Sequence, residues 1–282
     1  MSDLGNDPSA QPPQTSAPPP RRGPEIGVVF RPQSAPERLR EVVLSAEAAG
    51  VAELWLWEDC FAQGGLTSAA AALAWTQRLR VGVGLLPVPL RNPALAAMEI
   101  ATLARLFPGR FVPGLGHGVL DWMGQVGSRV LSPMTLLREY TVAVRGLLHG
   151  DTVDVDGRYV HLDDVALDWP PRQVPPLLLG ARGPKTLRLA GEVADGVILD
   201  SGVTPEMVRA ARPEIDAGTV AARRTDPLRV VAFVEVGTSA EQVVDGAAAY
   251  GEAGVDVVVF QASSEDPDAE PLIAACAALG RG

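Results

Sequence analysis

The chain predicts an α/β protein built as one (β/α)8 barrel, with an insertion between its fourth and fifth strands and a disordered N-terminal tail. Three observations carry this. Short β-branched or Leu-rich runs alternate with Ala-rich segments of helical period, the pattern of a parallel sheet wrapped by helices. Eight such runs fall at 26–30, 53–57, 79–86, 110–116, 177–180, 196–200, 228–236 and 255–260, and several are apolar at nearly every position, as strands covered on both faces are. The 282 residues exceed an ordinary single domain, yet a barrel of this kind commonly takes about 250. One barrel over 25–282 plus a tail over 1–24 accounts for the length.

The elements can be justified in order. Residues 1–24, MSDLGNDPSAQPPQTSAPPPRRGP, are rich in Pro, Ser and Gln and nearly free of apolar side chains, so burial cannot offset their ordering entropy. Pro36 opens the first helix at a tolerated early position and Gly50 ends it, with Leu39, Val43 and Ala46 on one face. In the third helix Ala96, Ile100, Leu103 and Phe107 recur at intervals of 4, 3 and 4, a core-facing stripe. The excursion from 117 to 176 holds a helix over 133–149 and then TVDVDGRYVHL, whose Asp156-Gly157 is a two-residue hairpin signal. Two destinations stay open for that hairpin: over the barrel mouth, or over an outer helix. Ser239 caps a late helix and Gly254 follows its end.

Composition narrows the function classes. With 24 Lys and Arg against 34 Asp and Glu, the formal charge is −10, the wrong sign for a nucleic-acid or anionic-membrane partner. Cys60 and Cys276 are too few for a disulfide framework and have no C-x-x-C spacing. No apolar run approaches the roughly 20 residues of a membrane span, and the N-terminus lacks a basic start with an apolar core. A cytoplasmic protein is the expectation.

In barrels of this kind, active sites gather at the C-terminal strand ends. The second strand exits through Trp57-Glu58-Asp59-Cys60-Phe61, an abrupt change from apolar residues to two carboxylates. Such a pair either serves a bound ring or moves a proton, or is a solvated loop. The third strand exits through Gly84-Leu85-Leu86-Pro87, and the fourth delivers Gly116-His117-Gly118, where glycines allow close backbone approach. His117 is either a structural histidine or a site residue. Asp121 follows four residues later without a third ligand, so no metal site is expected; His149 and His161 are assigned no chemistry. Near the fifth strand, Gly180-Ala181-Arg182-Gly183-Pro184 leads into LRLAGEVADG: Gly183 suits an N-cap and Pro184 the first turn. That helix start either binds a phosphate or serves only the turn.

The segment from Val81 to Gly118 carries a resemblance. Arg91-Asn92-Pro93, Pro108-Gly109-Arg110-Phe111 and Gly114-Leu115-Gly116-His117-Gly118 stand where the luciferase-like flavin and deazaflavin oxidoreductases have Arg-x-Pro, S/P-G-R-F and G-L-G-x-G. The run from Pro176 to Lys185 matches their P-x-x-x-G-A-x-G-P-K, with Ala194-Asp195-Gly196 after it. The likeness spans most of 26–200 and is greatest to the branch that uses the deazaflavin coenzyme F420, the methylenetetrahydromethanopterin reductase-like proteins.

The resemblance implies hydride transfer between coenzyme F420 and a small organic substrate. It implies Gly84, Leu85, Gly116, Gly180, Ala181, Arg182 and Gly183 as cofactor-binding residues, with the phosphate at 180–183. A non-prolyl cis peptide at the Gly84–Leu85 step is part of the same pattern. Glu58, Asp59 and His117 are the catalytic candidates, and Trp57 and Trp122 the substrate walls. Arg91 either orients an anionic tail or pairs with a neighbouring acid. Cys60 stands where D-H members have histidine, so their sugar-phosphate acid–base chemistry does not carry over directly. Homodimerisation is implied. Two alternatives remain: an FMN-dependent monooxygenase using O2 and a partner reductase, and a non-catalytic flavin- or deazaflavin-binding barrel.

Overall fold

A computed structural model describes residues 23–277. The expectation of a disordered tail over 1–24 falls almost wholly outside them.

Ten strands are present among these residues: β1 (Glu25–Phe30), β2 (Glu53–Leu56), β3 (Arg80–Pro87), β4 (Phe111–Gly116), β5 (Val153–Asp156), β6 (His161–Val165), β7 (Leu178–Gly180), β8 (Gly196–Leu199), β9 (Arg229–Glu235) and β10 (Val257–Gln261). Eight close into a barrel in the order β1-β10-β9-β8-β7-β4-β3-β2, each pair parallel, while β5 and β6 form a separate antiparallel hairpin. The eight expected strands are the eight of the barrel, within two residues at each end.

Around the barrel lie α1 (Leu39–Ala48), α2 (Gly65–Trp75), α3 (Pro93–Leu106), α4 (Leu120–Gln125), α5 (Pro133–His149), α6 (Pro184–Val193), α7 (Pro205–Ala221), α8 (Ala240–Glu252) and α9 (Glu270–Cys276). Their limits follow local chemistry. A 3-10 turn from Pro36 precedes α1, and Gly50 beyond it adopts φ +77°. Ser239 and Gln242 form a reciprocal capping box on α8, and Gly254 adopts φ +99° after it. The stripe of α3 is buried at Ala96, Ile100 and Leu103.

Two apolar layers hold the fold. The larger lies between strands and helices; the smaller fills the barrel and comprises Val29, Trp55, Val112, Leu178, Ile198, Val231, Phe233, Val257 and Val259. Its geometry explains the VGVG alternation of β3. A Cβ at Gly82 would stand 2.5 Å from Trp55 Cδ2, and one at Gly84 2.7 Å from Phe233 Cζ. These glycines make room for two large rings, which meet edge to face at 5.6 Å. Beneath Trp55, fully buried Glu53 accepts from Trp55 Nε1 (2.9 Å), Arg80 Nε (2.9 Å) and Arg229, so its charge is paired.

The insertion settles the question left open above. The β5–β6 hairpin packs on α5 and borders none of the mouth cavity, so it covers an outer helix. Its turn also differs from the two-residue expectation. Asp156 pairs with His161, leaving a four-residue loop. Glu139 on α5 supplies the reason: its carboxylate accepts from the backbone N–H groups of Arg158, Tyr159 and Val160. A distant acid thus overrides the local turn signal. The short helix α4, which the sequence did not announce, is the part of the insertion that stands at the mouth.

Candidate active site at the barrel mouth

A cavity of about 490 Å3 opens at the C-terminal strand ends, within the usual range for small-molecule sites of about 300–1,000 Å3. Trp57, Glu58, Asp59, Gly84, Leu85, His117, Trp122, Gly180, Ala181, Arg182 and Gly183 all border it. Every site residue expected from the sequence is therefore gathered there except Gly116. A Cβ at Gly116 would stand 2.3 Å from Leu85 Cδ2, so this glycine makes room for Leu85. The sequence missed Phe233, Ile198, Asp200, Ser201 and Thr186, which border the same space.

The two acids of the β2 exit have different situations. Glu58 is buried and fully engaged: Arg91 grips both of its oxygens, and the Gly65 N–H at the start of α2 donates to Oε2 at 2.7 Å. A carboxylate so held fixes the loop, while its residue still borders the cavity. Arg91, with Glu99 3.6 Å away as its second acid, pairs with neighbours and does not reach for an anionic tail. Asp59 is half-buried and accepts no side-chain hydrogen bond among the described residues. Burial raises its carboxyl above the ordinary aspartate range, opposed by the charge of Arg31. Cys60 has its thiol pushed up by burial and by Glu58 and Asp59, against Arg91, so it is a neutral thiol near pH 7.

His117 is half-buried at the end of β4. Burial lowers its pKa, opposed by Pro133, which lacks an N–H and therefore acts through its carbonyl. The ring is neutral at pH 7. Its Nδ1 is shut away from solvent without a well-formed hydrogen bond, and the residue borders the cavity. Trp57 is held on two sides: Arg31 lies over its ring at 4.9 Å, and Phe233 meets it at 5.5 Å.

Across the mouth, β7 runs into α6 with Gly183 as an extended N-cap (φ −94°, ψ 159°) and Pro184 in the first turn, as expected. No side chain caps this helix; Pro184 has no N–H and the Thr186 N–H is donated to the Gly183 carbonyl (3.1 Å), so the Lys185 N–H and the helix dipole are what its start can offer an anion. A Cβ at Gly183 would meet nothing within 4 Å. Arg182 forms an ion pair with Asp200 of the next strand end. The Gly84–Leu85 peptide is cis, and so is Cys60–Phe61, which the sequence reading did not include.

These features suit an anionic, ring-bearing cofactor. The walls made by Trp57, Leu85, Ile198 and Phe233 fit a flat ring, and the open helix start fits a phosphate. Among the described residues no cluster of three or more His, Cys, Asp or Glu is placed to hold a metal, and no helix is long and apolar enough to cross a membrane.

A closed parallel barrel with its polar groups at the strand exits and a cavity at its mouth defines the class of (β/α)8 barrels with a site at the C-terminal strand ends. Within that class, the chain belongs to the luciferase-like monooxygenase family, whose model matches residues 14–251. It is 30% identical over 244 residues to a 5,10-methylenetetrahydromethanopterin reductase of Methanolobus tindarius, covering 86% of this chain and 72% of that protein. It is 31% identical over 210 residues to an F420-dependent glucose-6-phosphate dehydrogenase of Kineococcus radiotolerans, covering 69% of this chain but 61% of that one. In fold it is similar to the coenzyme F420-dependent tetrahydromethanopterin reductase of Methanopyrus kandleri, with a TM-score of 0.79, 21% identity, and 91% and 98% of the two chains covered.

Proposed function

We propose that this protein is an oxidoreductase that uses coenzyme F420, moving hydride between the deazaflavin and a small organic substrate. The observation that carries the reading is the gathering of the β2, β3, β4 and β7 exits around one cavity, in a chain 30% identical to a 5,10-methylenetetrahydromethanopterin reductase and 31% identical to an F420-dependent glucose-6-phosphate dehydrogenase. When bound, the deazaflavin supplies a hydride donor or acceptor carbon; the chain supplies position, dryness and proton handling.

Residues 180–183 and the N-terminus of α6 hold the coenzyme phosphate, with Arg182 at its side. Gly84 and Leu85 form the wall against the ring, while Trp57 and Trp122 form apolar walls for the substrate and exclude water. A substrate that gives up hydride from a carbon bearing O–H must also release a proton. His117 is suited to accept it, being neutral, and Asp59 is the second proton-handling group, with no competing side-chain hydrogen bond among the described residues. Glu58 positions that loop through Arg91.

The test is a binding titration of the purified protein against F420 and FMN. Tighter F420 binding is expected. Tighter FMN binding by a yellow protein would instead favour the monooxygenase alternative, and binding of either without turnover over a broad substrate panel the non-catalytic one.

A further inference from the structure

Behind the cavity wall lies a charged residue that does not itself border the cavity. Arg31 follows the last residue of β1 and is 7% exposed, although it is a full cation. Burying a guanidinium requires partners, and its partners come from three elements. Nη1 donates to the Ala262 carbonyl just past β10 (2.8 Å), Nε donates to Gln33 Oε1 (3.2 Å), and the guanidinium plane lies 4.9 Å from the Trp57 ring centroid. Trp57 is closed on another side by Phe233 from β9. The neighbouring loops are also tied together, since Gln63 donates to the Ser34 carbonyl at 2.7 Å.

We propose that Arg31 is a positioning residue for the mouth: its guanidinium clamps Trp57 against Phe233 and supplies the counter-charge to Asp59. The role in catalysis rests on the reading of this cavity as the coenzyme and substrate site. The geometry separates two duties. The planar fork, fixed by Ala262 and Gln33, lies over an indole, for which arginine is suited and lysine is not. The positive charge acts without direct contact, from beyond 4 Å, on a carboxylate two residues after that indole. The other charged or titratable groups beside Asp59 or bordering its cavity are Glu58 and Cys60, Arg91, which Glu58 engages, Arg182, which is paired with Asp200, and His117, neutral at pH 7. Arg31 is thus the cation left to oppose the burial of Asp59.

The experiment is a pH titration of the full chain, without added coenzyme, by 13C NMR of labelled aspartate carboxyls. The Asp59 signal is identified by its loss in Asp59→Asn. In Arg31→Met the Asp59 midpoint should move to higher pH, whereas in Arg31→Lys it should stay near that of the parent chain. Trp57 fluorescence, isolated by difference from Trp57→Phe, should change in both variants because neither retains a planar cation. Arg31→Gln, which keeps a donor for the Ala262 carbonyl, replaces the methionine variant if that one does not fold. An Asp59 midpoint unmoved in the folded neutral variant, a lysine variant titrating like the neutral one, or unchanged Trp57 emission in all of them overturns the proposal. F420 is absent from these measurements, so failure of the parent chain to bind F420 is a separate result that counts against the wider reading alone.

Discussion

Leu85 and Gly180 compete for one volume: a Cβ at residue 180 would stand 2.4 Å from Leu85 Cδ2, with its next neighbour, the Leu115 carbonyl, at 3.8 Å. Leu85 therefore lies across the ends of β4 and β7, and the glycines at 116 and 180 are its seat. Gly180→Ala should displace mainly the flexible tip of Leu85 and cost only about 1 kcal/mol of stability, the low end of overpacking penalties. The displaced tip would enter the cavity, so F420 affinity should fall by more than stability does. Leu85→Ala should relieve the clash, making the double variant better than the sum of its parts. Additive effects, read by denaturation and by F420 titration, would refute this coupling.

Much of this site was legible in the sequence for a physical reason: parallel strands announce themselves as apolar runs, and the first polar residues after each run must lie at the mouth. Glu58, Asp59 and His117 stand at such exits, and it was the resemblance that singled them out as site candidates. Arg31 follows Phe30 in the same manner, so the same signal could have found it. Phe233 could not be found, because β9 is apolar at almost every position and alternation cannot tell its barrel-facing side from its helix-facing side. The engagement of Glu58 by Arg91 was also out of reach. It depends on two loops 33 residues apart meeting in space.

That engagement makes a stability prediction. Glu58 is 8% exposed at its side chain and Arg91 21%. Arg91→Met would leave a buried carboxylate with the Gly65 N–H as its remaining partner, at a cost of about 3 kcal/mol, in the range for breaking one side of a buried pair. Arg91→Lys should recover only part of this, since a lysine cannot grip both oxygens. Urea unfolding of the three proteins measures the difference. A loss in Arg91→Met well below 1 kcal/mol would mean that the pair is solvated in solution.

Gly183 offers a test in which stability and function move in opposite directions. Its extended backbone suits an N-cap, and a side chain there meets open space. Gly183→Asp should stabilise the start of α6 by a few tenths of a kcal/mol, the usual gain of an aspartate cap over glycine. The same carboxylate would occupy the helix N–H groups and repel a phosphate. A slightly raised Tm with clearly weakened F420 binding is expected. Unchanged binding in this variant would remove the phosphate from residues 180–183.

Asp59 should show the same opposition with a pH signature. Its folded-state pKa is raised by burial, so ionising it costs stability. The favourable contribution of its neutral form is fully present below the unfolded aspartate pKa and is lost as pH rises through the higher folded one. Asp59→Asn, which never ionises, should therefore be more stable than the parent chain at pH 7, and the advantage should fade as pH falls below about 4, near the ordinary aspartate value. Turnover should fall in the same variant by about 10²–10⁴-fold if Asp59 is the general acid or base. Cys60→Ser should retain most activity, because a thiol held protonated by burial and two neighbouring acids is a poor nucleophile or base. Thermal melts across pH, together with turnover of both variants under F420 saturation, decide the matter. An active Asp59→Asn beside a dead Cys60→Ser would transfer the proton chemistry from the carboxylate to the thiol.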